Sequence, residues 1–157
     1  MDREGEAVPQ EQGWRRWLRS ARGQRAESQV IGYVGLRLQG PGVHISTIAV
    51  HPDWRGKGLG ELLLLTAMEK ALELKGSTVT LEVRPSNRVA QRLYHKYGFR
   101  FKGVNRGYYR DGEDAWLMAV EVKREAYRAR LADLRRTLEA RLRRQAPGVG
   151  QNHRDRL

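Results

Sequence analysis

The feature that most constrains the fold is a glycine-rich loop that joins an apolar strand to a helix. The three glycines of this loop let the backbone approach a ligand closely, and the first turn of the helix leaves amide N–H groups unpaired. With two loop cations beside them, these amides are suited to bind a phosphate or pyrophosphate. The sequence therefore predicts a strand–loop–helix unit that binds a phosphorylated small molecule. The stretch consists of Ile48, Ala49, Val50, His51, Pro52, Asp53, Trp54, Arg55, Gly56, Lys57, Gly58, Leu59 and Gly60.

Two other kinds of phosphate-binding loop fit this stretch less well. A nucleotide P-loop requires Gly-Lys-Ser/Thr, whereas Lys57 is followed by Gly58, which has no hydroxyl to bind magnesium. A dinucleotide fingerprint has the spacing G-x-G-x-x-G directly after a strand, whereas this loop has G-x-G-x-G after intervening residues. Glu82 lies at a suitable distance downstream for the ribose-binding acid of such a site, so this interpretation stays open. A glycine-rich turn with solvated cations is the purely structural alternative.

The composition indicates one domain with extensions. A chain of 157 residues, 39% of them hydrophobic, can bury one sizeable core and leaves some residues outside it. The absence of cysteine excludes disulfides, zinc–thiolate sites and an acyl-cysteine intermediate. The start of the chain is not a signal peptide and no apolar run approaches membrane-spanning length, so we expect a cytoplasmic protein without membrane contact.

The positive charge is concentrated near the C-terminus. Residues 121–157 carry 11 basic and 5 acidic side chains, which is half of the net charge of +12. Such a surface attracts polyanions and repels polycations. We interpret this region as a solvated, partly packed helix, with an RNA- or ribosome-facing surface or a short coiled coil as the alternatives.

Hydrophobic periodicity predicts a mixed α/β domain. Strands are predicted over residues 29–38, 43–50, 78–83, 99–107 and 114–122, and helices over residues 57–75, 86–97 and 121–145. An apolar stripe on the last helix is formed by Tyr127, Leu131, Leu134, Leu138 and Leu142. We divide the chain into a polar, partly disordered N-terminal segment, a folded domain, a basic helix and a disordered tail, over residues 1–28, 29–122, 123–146 and 147–157.

The chemistry is predicted at the end of the central strand. Glu82 stands at the C-terminal end of the strand over residues 78–83, and ligands collect at such strand ends in mixed sheets. Ser86 is the predicted N-cap of the following helix. This helix places Asn87, Ala90 and Tyr94 at positions i, i+3 and i+7 on one face. That face offers an amide, a small gap and a phenol to a ligand.

Several motifs in order resemble the GNAT N-acetyltransferase superfamily. The loop is similar to its acetyl-CoA pyrophosphate loop through the pattern Arg55-x-x-Gly58-x-Gly60. A second stretch resembles protein N-terminal acetyltransferases, and most closely the ribosomal-protein-alanine (RimI) branch, through Leu81-Glu-Val-Arg84, Ser86-Asn87, Leu93-Tyr94 and Tyr97-Gly-Phe99. A third is similar to the hairpin beside the acceptor peptide in that branch and reads Tyr108-Tyr109-x-Asp-Gly-Glu-Asp114.

The resemblance covers about residues 29–122 and implies a fold, a reaction and a site. The fold is a mixed, mostly antiparallel twisted sheet flanked by helices, with shortened N-terminal elements and an extra C-terminal helix. The reaction transfers the acetyl group of acetyl-CoA to an amine, in this branch the N-terminal α-amine of a ribosomal protein, without a metal. Glu82 would be the general base, directly or through a water, Tyr94 would protonate the departing CoA thiolate, and Tyr108 and Tyr109 would bind the acceptor. Cofactor contacts would come from Ile48, Ala49, Val50, Arg55, Gly56, Lys57, Gly58, Leu59, Gly60, Asn87, Ala90 and Tyr94.

Elementary acid–base chemistry agrees with these roles. An α-amino group titrates near pH 8 and a lysine near 10.4, so at neutral pH about a tenth of α-amines are uncharged against fewer than about one lysine in a thousand. A tyrosine keeps its proton at neutral pH and can donate it. Because the chain has no cysteine, we expect direct transfer in a ternary complex.

Each candidate residue also has a structural interpretation. Glu82 could be an exposed carboxylate paired with Arg84 or Lys102, and Tyr94 could fill the core. The two hairpin tyrosines could simply be strand formers. The four histidines lack metal-ligand spacing and are interpreted as structural or solvent-facing, with His44 also considered as a second base.

Two rival interpretations of the whole chain remain. The first is acetylation of a small-molecule amine or a lysine, and the second is a non-catalytic CoA-binding or RNA-contacting module.

The start of the chain departs from the family pattern. Family members carry a strand and two helices ahead of the first hairpin, and residues 1–28 are too short and polar to supply them. We expect either a truncated chain or a reduced wall around Trp14, Trp17 and Leu18, and an exposed edge that a second copy could cover in a homodimer.

Overall fold

The computed structural model describes residues 29–146. Within this range a five-stranded sheet is joined to three α-helices. The strands are β1 (Gly32–Gln39), β2 (Gly42–Val50), β3 (Thr78–Val83), β4 (Arg100–Asn105) and β5 (Ala115–Glu121), and the helices are α1 (Leu59–Glu73), α2 (Arg88–Lys96) and α3 (Glu125–Gln145). The predictions for segments 1–28, with Trp14, Trp17 and Leu18, and 147–157 concern residues outside this range.

The sheet is mixed and mostly antiparallel, as predicted. Its strand order is β1-β2-β3-β5-β4. Strands β2 and β3 pair in parallel, and α1 connects them, whereas the other neighbours pair in antiparallel. The parallel pair therefore lies at the centre of the sheet, where α1 returns the chain to the start of β3.

The two faces of the sheet differ in chemistry. In β3, Val79, Leu81 and Val83 are buried, whereas the alternate residues Thr80 and Glu82 are only partly buried. Since side chains alternate between the faces of a strand, one face of β3 is apolar and the other polar. In the antiparallel register with β5, Leu81 lies opposite the buried Met118 and Glu82 lies opposite the partly buried Leu117. The polar face carries the candidate site.

Helices α1 and α3 contribute to one apolar core with the sheet. Leu64, Leu65 and Met68 of α1 and Leu131 and Leu138 of α3 belong to the same buried cluster as the apolar residues of β3. The predicted apolar stripe on the last helix is confirmed, because Tyr127 is also buried and Leu134 and Leu142 pack partly against the cluster. Helix α3 is thus built into the core. No helix in residues 29–146 combines the length and apolarity that crossing a membrane requires.

The ends of two helices differ from the prediction. Helix α3 begins at Glu125 and not at residue 121, because Glu121 still pairs with Thr78 in the sheet. The N-cap of α2 is Asn87, whose Oδ1 accepts a hydrogen bond from the Ala90 N–H at 3.1 Å. The predicted cap, Ser86, lies one residue earlier. Its N–H donates to Glu113 Oε1 at 3.0 Å.

Helix α1 ends with a left-handed residue that is not glycine. Lys75 has φ 57°, and its N–H donates to the Leu72 carbonyl at 3.0 Å. The next N–H, from Gly76, donates to the Ala71 carbonyl at 3.0 Å, which completes a Schellman-type end. Gly76, predicted to stop the helix, is therefore one position beyond the left-handed residue, and its α-carbon packs close to Val43.

Candidate active site

Strands β2 and β3 separate at the centre of the sheet. They pair at three positions, the last of which joins Ile45 and Leu81, although β2 continues to Val50. Ile48, Ala49 and Val50 pair with β1 on one edge and have no β3 partner on the other edge within the described residues. Backbone groups here that point away from β1 line a slot that can hydrogen-bond an extended, amide-containing chain, although the Val50 carbonyl also accepts from Arg55.

The glycine loop lies at the end of this slot and has a geometry suited to an anion. Gly58 is the N-cap of α1, and no side chain caps the helix, so the amides of Leu59 and Gly60 remain available as donors. Gly56 and Gly58 have φ of 74° and 85°, a backbone region that L-amino acids rarely adopt. A Cβ added at Gly56 would meet no described atom within 4 Å, so this part of the loop is open to a ligand.

The two loop cations are held by contacts within the loop. The Arg55 Nε donates to the Val50 carbonyl at 3.3 Å, which ties the loop to the end of β2. The Lys57 ammonium lies 4.8 Å from the centroid of the Trp54 ring, a cation–π contact. Trp54 was not among the predicted site residues, and it fixes one of the charges that the loop presents.

Glu82 is joined to His44 on the polar face of the sheet. His44 Nε2 lies 2.8 Å from Glu82 Oε2, and His44 Nδ1 lies 2.7 Å from the Thr80 hydroxyl. His44 is 3% exposed and the Glu82 side chain 14%, so water competes weakly for these contacts. An imidazole that donates from Nε2 to the carboxylate accepts the Thr80 hydroxyl at Nδ1, which gives a continuous chain of hydrogen bonds.

A cavity of about 340 Å³ with polar and apolar walls opens above these hydrogen bonds. Its walls combine a cation, a carboxylate, an imidazole and neutral hydrogen-bonding groups, which is typical of a site that holds water or a polar ligand. The lining residues are Arg37, Gln39, Pro41, Gly42, His44, Thr78, Thr80, Glu82, Asn105 and Leu117.

Helix α2 places Tyr94 and Ala90 beside the core. Tyr94 is partly buried, and its ring centroid lies 5.9 Å from that of Phe99. Burial raises the pKa of Tyr94 above its ordinary value, so its hydroxyl keeps its proton at neutral pH and can donate it. Ala90 is also partly buried. Asn87 uses its carbonyl oxygen as the helix cap, which leaves its Nδ2 donors for a ligand.

Arg84 anchors the hairpin between β4 and β5. Its Nη1 donates to both carboxylate oxygens of Asp111, at 3.0 and 2.9 Å, and to Glu113 Oε2 at 2.9 Å. Its guanidinium lies 3.8 Å from the centroid of the Tyr109 ring. These contacts join the end of β3 to the hairpin and hold Tyr109 beside the Glu82 strand.

Both hairpin tyrosines lie within electrostatic reach of Glu82. Burial raises the pKa of Tyr109 to about 12, with smaller increases from Tyr108, Glu82 and Tyr94 and an opposing effect of Arg84. Burial and then the Glu82 charge raise the pKa of Tyr108, and Arg37 opposes them. The two rings pack edge to face at 5.0 Å between centroids. Both phenols are therefore protonated at neutral pH and can donate hydrogen bonds to a ligand.

The structure brings several of the predicted residues together. Glu82, Tyr94, Tyr108 and Tyr109 lie around the end of β3. The structural alternative, in which Glu82 pairs with Arg84 or Lys102, is not found. Arg84 is held by the hairpin carboxylates, and Glu82 contacts His44. His44, interpreted above as structural or solvent-facing and considered as a second base, is buried and contacts Glu82 directly. In the sequence, His44 has an apolar residue on each side. This alternation indicates that its side chain lies on the polar face of β2.

Known proteins share this fold. Residues 4–99 match the acetyltransferase (GNAT) family. The N-alpha-acetyltransferase RimI of Mycobacterium tuberculosis is 37% identical over 101 residues, which cover 61% of this chain and 62% of that protein. The crystal structure of the ribosomal-protein-S18-alanine N-acetyltransferase from Escherichia coli superposes with a TM-score of 0.56 at 33% identity and covers 60% and 63% of the two chains. An acetyltransferase from Bacillus subtilis, solved in complex with CoA, gives a TM-score of 0.54 at 25% identity over 62% and 72%.

The family match covers more than half of the chain and includes the glycine loop, Glu82 and Tyr94. The chain therefore belongs to the GNAT acetyltransferase family. The matched part spans 60–64% of the length of several curated relatives.

Proposed function

We propose that this chain transfers the acetyl group of acetyl-CoA to the N-terminal α-amine of a protein. A ribosomal protein is the proposed acceptor, because the Escherichia coli structure is that of a ribosomal-protein-S18-alanine N-acetyltransferase. The observation that carries the proposal is the Glu82–His44 contact of 2.8 Å on the wall of a cavity, beside strands that separate. A carboxylate, an open slot and an anion-binding loop are the parts that acetyl transfer requires.

Acetyl-CoA fits the slot and the loop. The free edge formed by Ile48, Ala49 and Val50 matches the two amides of a pantetheine arm, and the amides from Gly56 to Gly60 are suited to a diphosphate. When bound, acetyl-CoA supplies the thioester whose carbonyl carbon reacts with the amine. The loop and slot bind and orient this molecule, and such positioning contributes much of the rate enhancement.

Glu82 is the proposed proton acceptor for the amine. Its Oε2 is engaged by His44. Within the described residues no cation is paired with its Oε1, so Oε1 can accept a proton from an ammonium or a bridging water. His44 holds the carboxylate in one orientation, and Thr80 in turn orients the ring. Tyr94 is the proposed proton donor to the CoA thiolate, since its pKa is raised and it stays protonated.

Tyr108 and Tyr109 are the proposed acceptor-binding residues. Arg84 fixes Tyr109 by stacking on its ring, so the position of this wall depends on the hairpin carboxylates Asp111 and Glu113. An α-amine is favoured over a lysine because a larger fraction of it is uncharged at neutral pH.

Two matched peptides test the acceptor class. Both have the same sequence, with a free α-amine and an acetylated lysine in one and an acetylated α-amine and a free lysine in the other. We expect acetyl transfer from acetyl-CoA to the first alone, measured by mass spectrometry. Transfer only to the second, or only to small amines, would replace the proposal with one of those activities.

Glu82→Gln tests the assigned base. We expect kcat to fall by about 10²-fold or more, the usual contribution of a general base, with CoA affinity changed less than about twofold. Glu121→Gln is the matched control, because Glu121 is an exposed carboxylate at the far end of the β3–β5 pair. An unchanged kcat in Glu82→Gln would remove Glu82 from the mechanism. Initial-rate lines for the two substrates should intersect, and parallel lines would contradict direct transfer.

A further inference from the structure

A buried carboxylate lies directly behind the phosphate-binding loop. Glu61 is in the first turn of α1 and is 7% exposed. Its Oε1 accepts from the Lys96 ammonium at 2.7 Å and from the Tyr97 hydroxyl at 3.1 Å. Its Oε2 accepts from the Arg141 guanidinium at 2.5 Å. Burial by itself raises the pKa of Glu61, but the hydrogen bonds from Lys96 and Arg141 outweigh it and the pKa is lowered. Glu61 is therefore ionised at neutral pH.

Helix α3 reaches the loop from the opposite end of the sequence. Arg135 contacts Glu69, whereas Arg141 contacts Glu61, so α1 and α3 run in opposite directions and the last turns of α3 lie beside the start of α1. A Cβ added at Gly58 would lie 3.1 Å from Leu142 Cδ2 and 3.4 Å from the Arg141 guanidinium. The loop is thus in van der Waals contact with α3.

The charges of this cluster decide how the loop meets an anion. An ionised Glu61 in the first turn of α1 opposes a phosphate at the same helix end. Lys96 and Arg141 together exceed its charge by one unit, and their side chains remain 39% and 41% exposed. Without Arg141 the cluster would be neutral and one carboxylate oxygen would lose its cation.

The geometry points to Arg141 as a positioning residue for coenzyme A, and hence to α3 as part of the coenzyme A site. Arg141 neutralises Glu61, holds the first turn of α1 and keeps the loop against Leu142. This inference rests on the proposed function for the identity of the ligand. The sequence left open whether the basic C-terminal helix is a partly packed extension, an RNA- or ribosome-facing surface or a short coiled coil. By this inference the helix packs against the phosphate loop and acts on it.

Calorimetry with coenzyme A and the full chain tests this role. We expect Arg141→Gln to weaken coenzyme A binding by about tenfold, the effect of one charge-assisted hydrogen bond. Arg135→Gln is the matched control, because Arg135 makes the same kind of α1–α3 ion pair with Glu69, eight residues or about 12 Å further along α1. We expect it to change the affinity less than about twofold while lowering stability to a similar extent.

A second variant separates charge from structure. In Glu61→Gln/Arg141→Gln the carboxylate is absent and Lys96 restores the native net charge of +1 to the cluster, so we expect coenzyme A affinity to return to within about threefold of the original value. Affinity that changes without a matching change in the free energy of unfolding indicates charge, whereas affinity that follows stability indicates a structural contact. Circular dichroism and denaturant unfolding establish that each variant is folded.

Three results would overturn the inference. They are unchanged coenzyme A binding in Arg141→Gln, an equal loss in Arg135→Gln, and no recovery in the double variant. The proposed function fails separately: a chain that binds coenzyme A but acetylates no amine contradicts it and leaves the role of Arg141 standing. A chain that does not bind coenzyme A at all contradicts both.

Discussion

Two buried or partly buried carboxylates in this molecule have opposite chemical environments. Glu61 is surrounded by Lys96, Tyr97 and Arg141, which stabilise its ionised form and occupy both of its oxygens. Glu82 contacts one imidazole and otherwise faces a cavity. A base needs a lone pair that a substrate proton can reach. The number and kind of partners therefore separate a structural carboxylate from a reactive one.

The orientation of Glu82 by His44 gives a residue-scale prediction. A glutamine at position 44 can place its amide near the position of Nε2, whereas an asparagine is shorter and ends near Nδ1. We expect His44→Gln to retain at least about tenfold more kcat than His44→Asn, because only glutamine reaches Glu82.

The measurement is kcat and KM for the peptide with a free α-amine. Coenzyme A binding by calorimetry serves as the control and should be similar in the two variants. Equal kcat values would show that the imidazole does not act through the carboxylate.

At the scale of elements, the end of α1 contains a strained residue. Lys75 has φ 57° and is the single non-glycine residue with positive φ among residues 29–146. A side chain in this region costs about 1 kcal/mol. We expect Lys75→Gly to raise the free energy of unfolding by about 0.5–1 kcal/mol in urea titrations, and Lys70→Gly, in the helix interior, to lower it. A destabilised Lys75→Gly would contradict this.

The junction of the three helices at Glu61 predicts a pH dependence of stability. The folded pKa of Glu61 is lowered, so the native state binds fewer protons than the unfolded chain between the two pKa values. The stabilisation is present above the unfolded value of 4.5 and is lost as the pH falls through the folded pKa.

We therefore expect the free energy of unfolding of the native chain to fall more steeply below about pH 4.5 than that of Glu61→Gln. Denaturant titrations from pH 7 to pH 3 measure both curves. Parallel curves across the acid range would show that the Glu61 ion pairs contribute nothing to stability.

Local patterns were enough to predict the elements but not their junctions. Alternation placed β3 over residues 78–83 and put Glu82 on the polar face, because side-chain direction has a period of two. The contacts of His44 with Glu82 and of Glu61 with Arg141 join residues 38 and 80 positions apart. They depend on which strands and helices become neighbours, and periodicity does not report that. The separation of β2 and β3 was unpredictable for the same reason.

At the scale of the whole molecule, α3 belongs to the folding unit of the sheet. Leu138 is 1% exposed and shares a cluster with β3 and α1. We expect Leu138→Ala to lower the free energy of unfolding by about 2–5 kcal/mol in a single cooperative transition. The exposed Thr137→Ala should change it by less than about 0.5 kcal/mol. A separate early transition for α3, seen by hydrogen exchange, would show that the helix folds independently.

The close packing of Leu142 on Gly58 also depends on the order in which the chain is synthesised. A polypeptide leaves the ribosome from its N-terminus, so the glycine-rich turn is synthesised more than 80 residues before the leucine that packs against it. During that interval the turn lacks its neighbour and Glu61 lacks one of its counter-charges. A growing chain of this sequence thus completes the packing around its glycine-rich loop only when translation has passed residue 142.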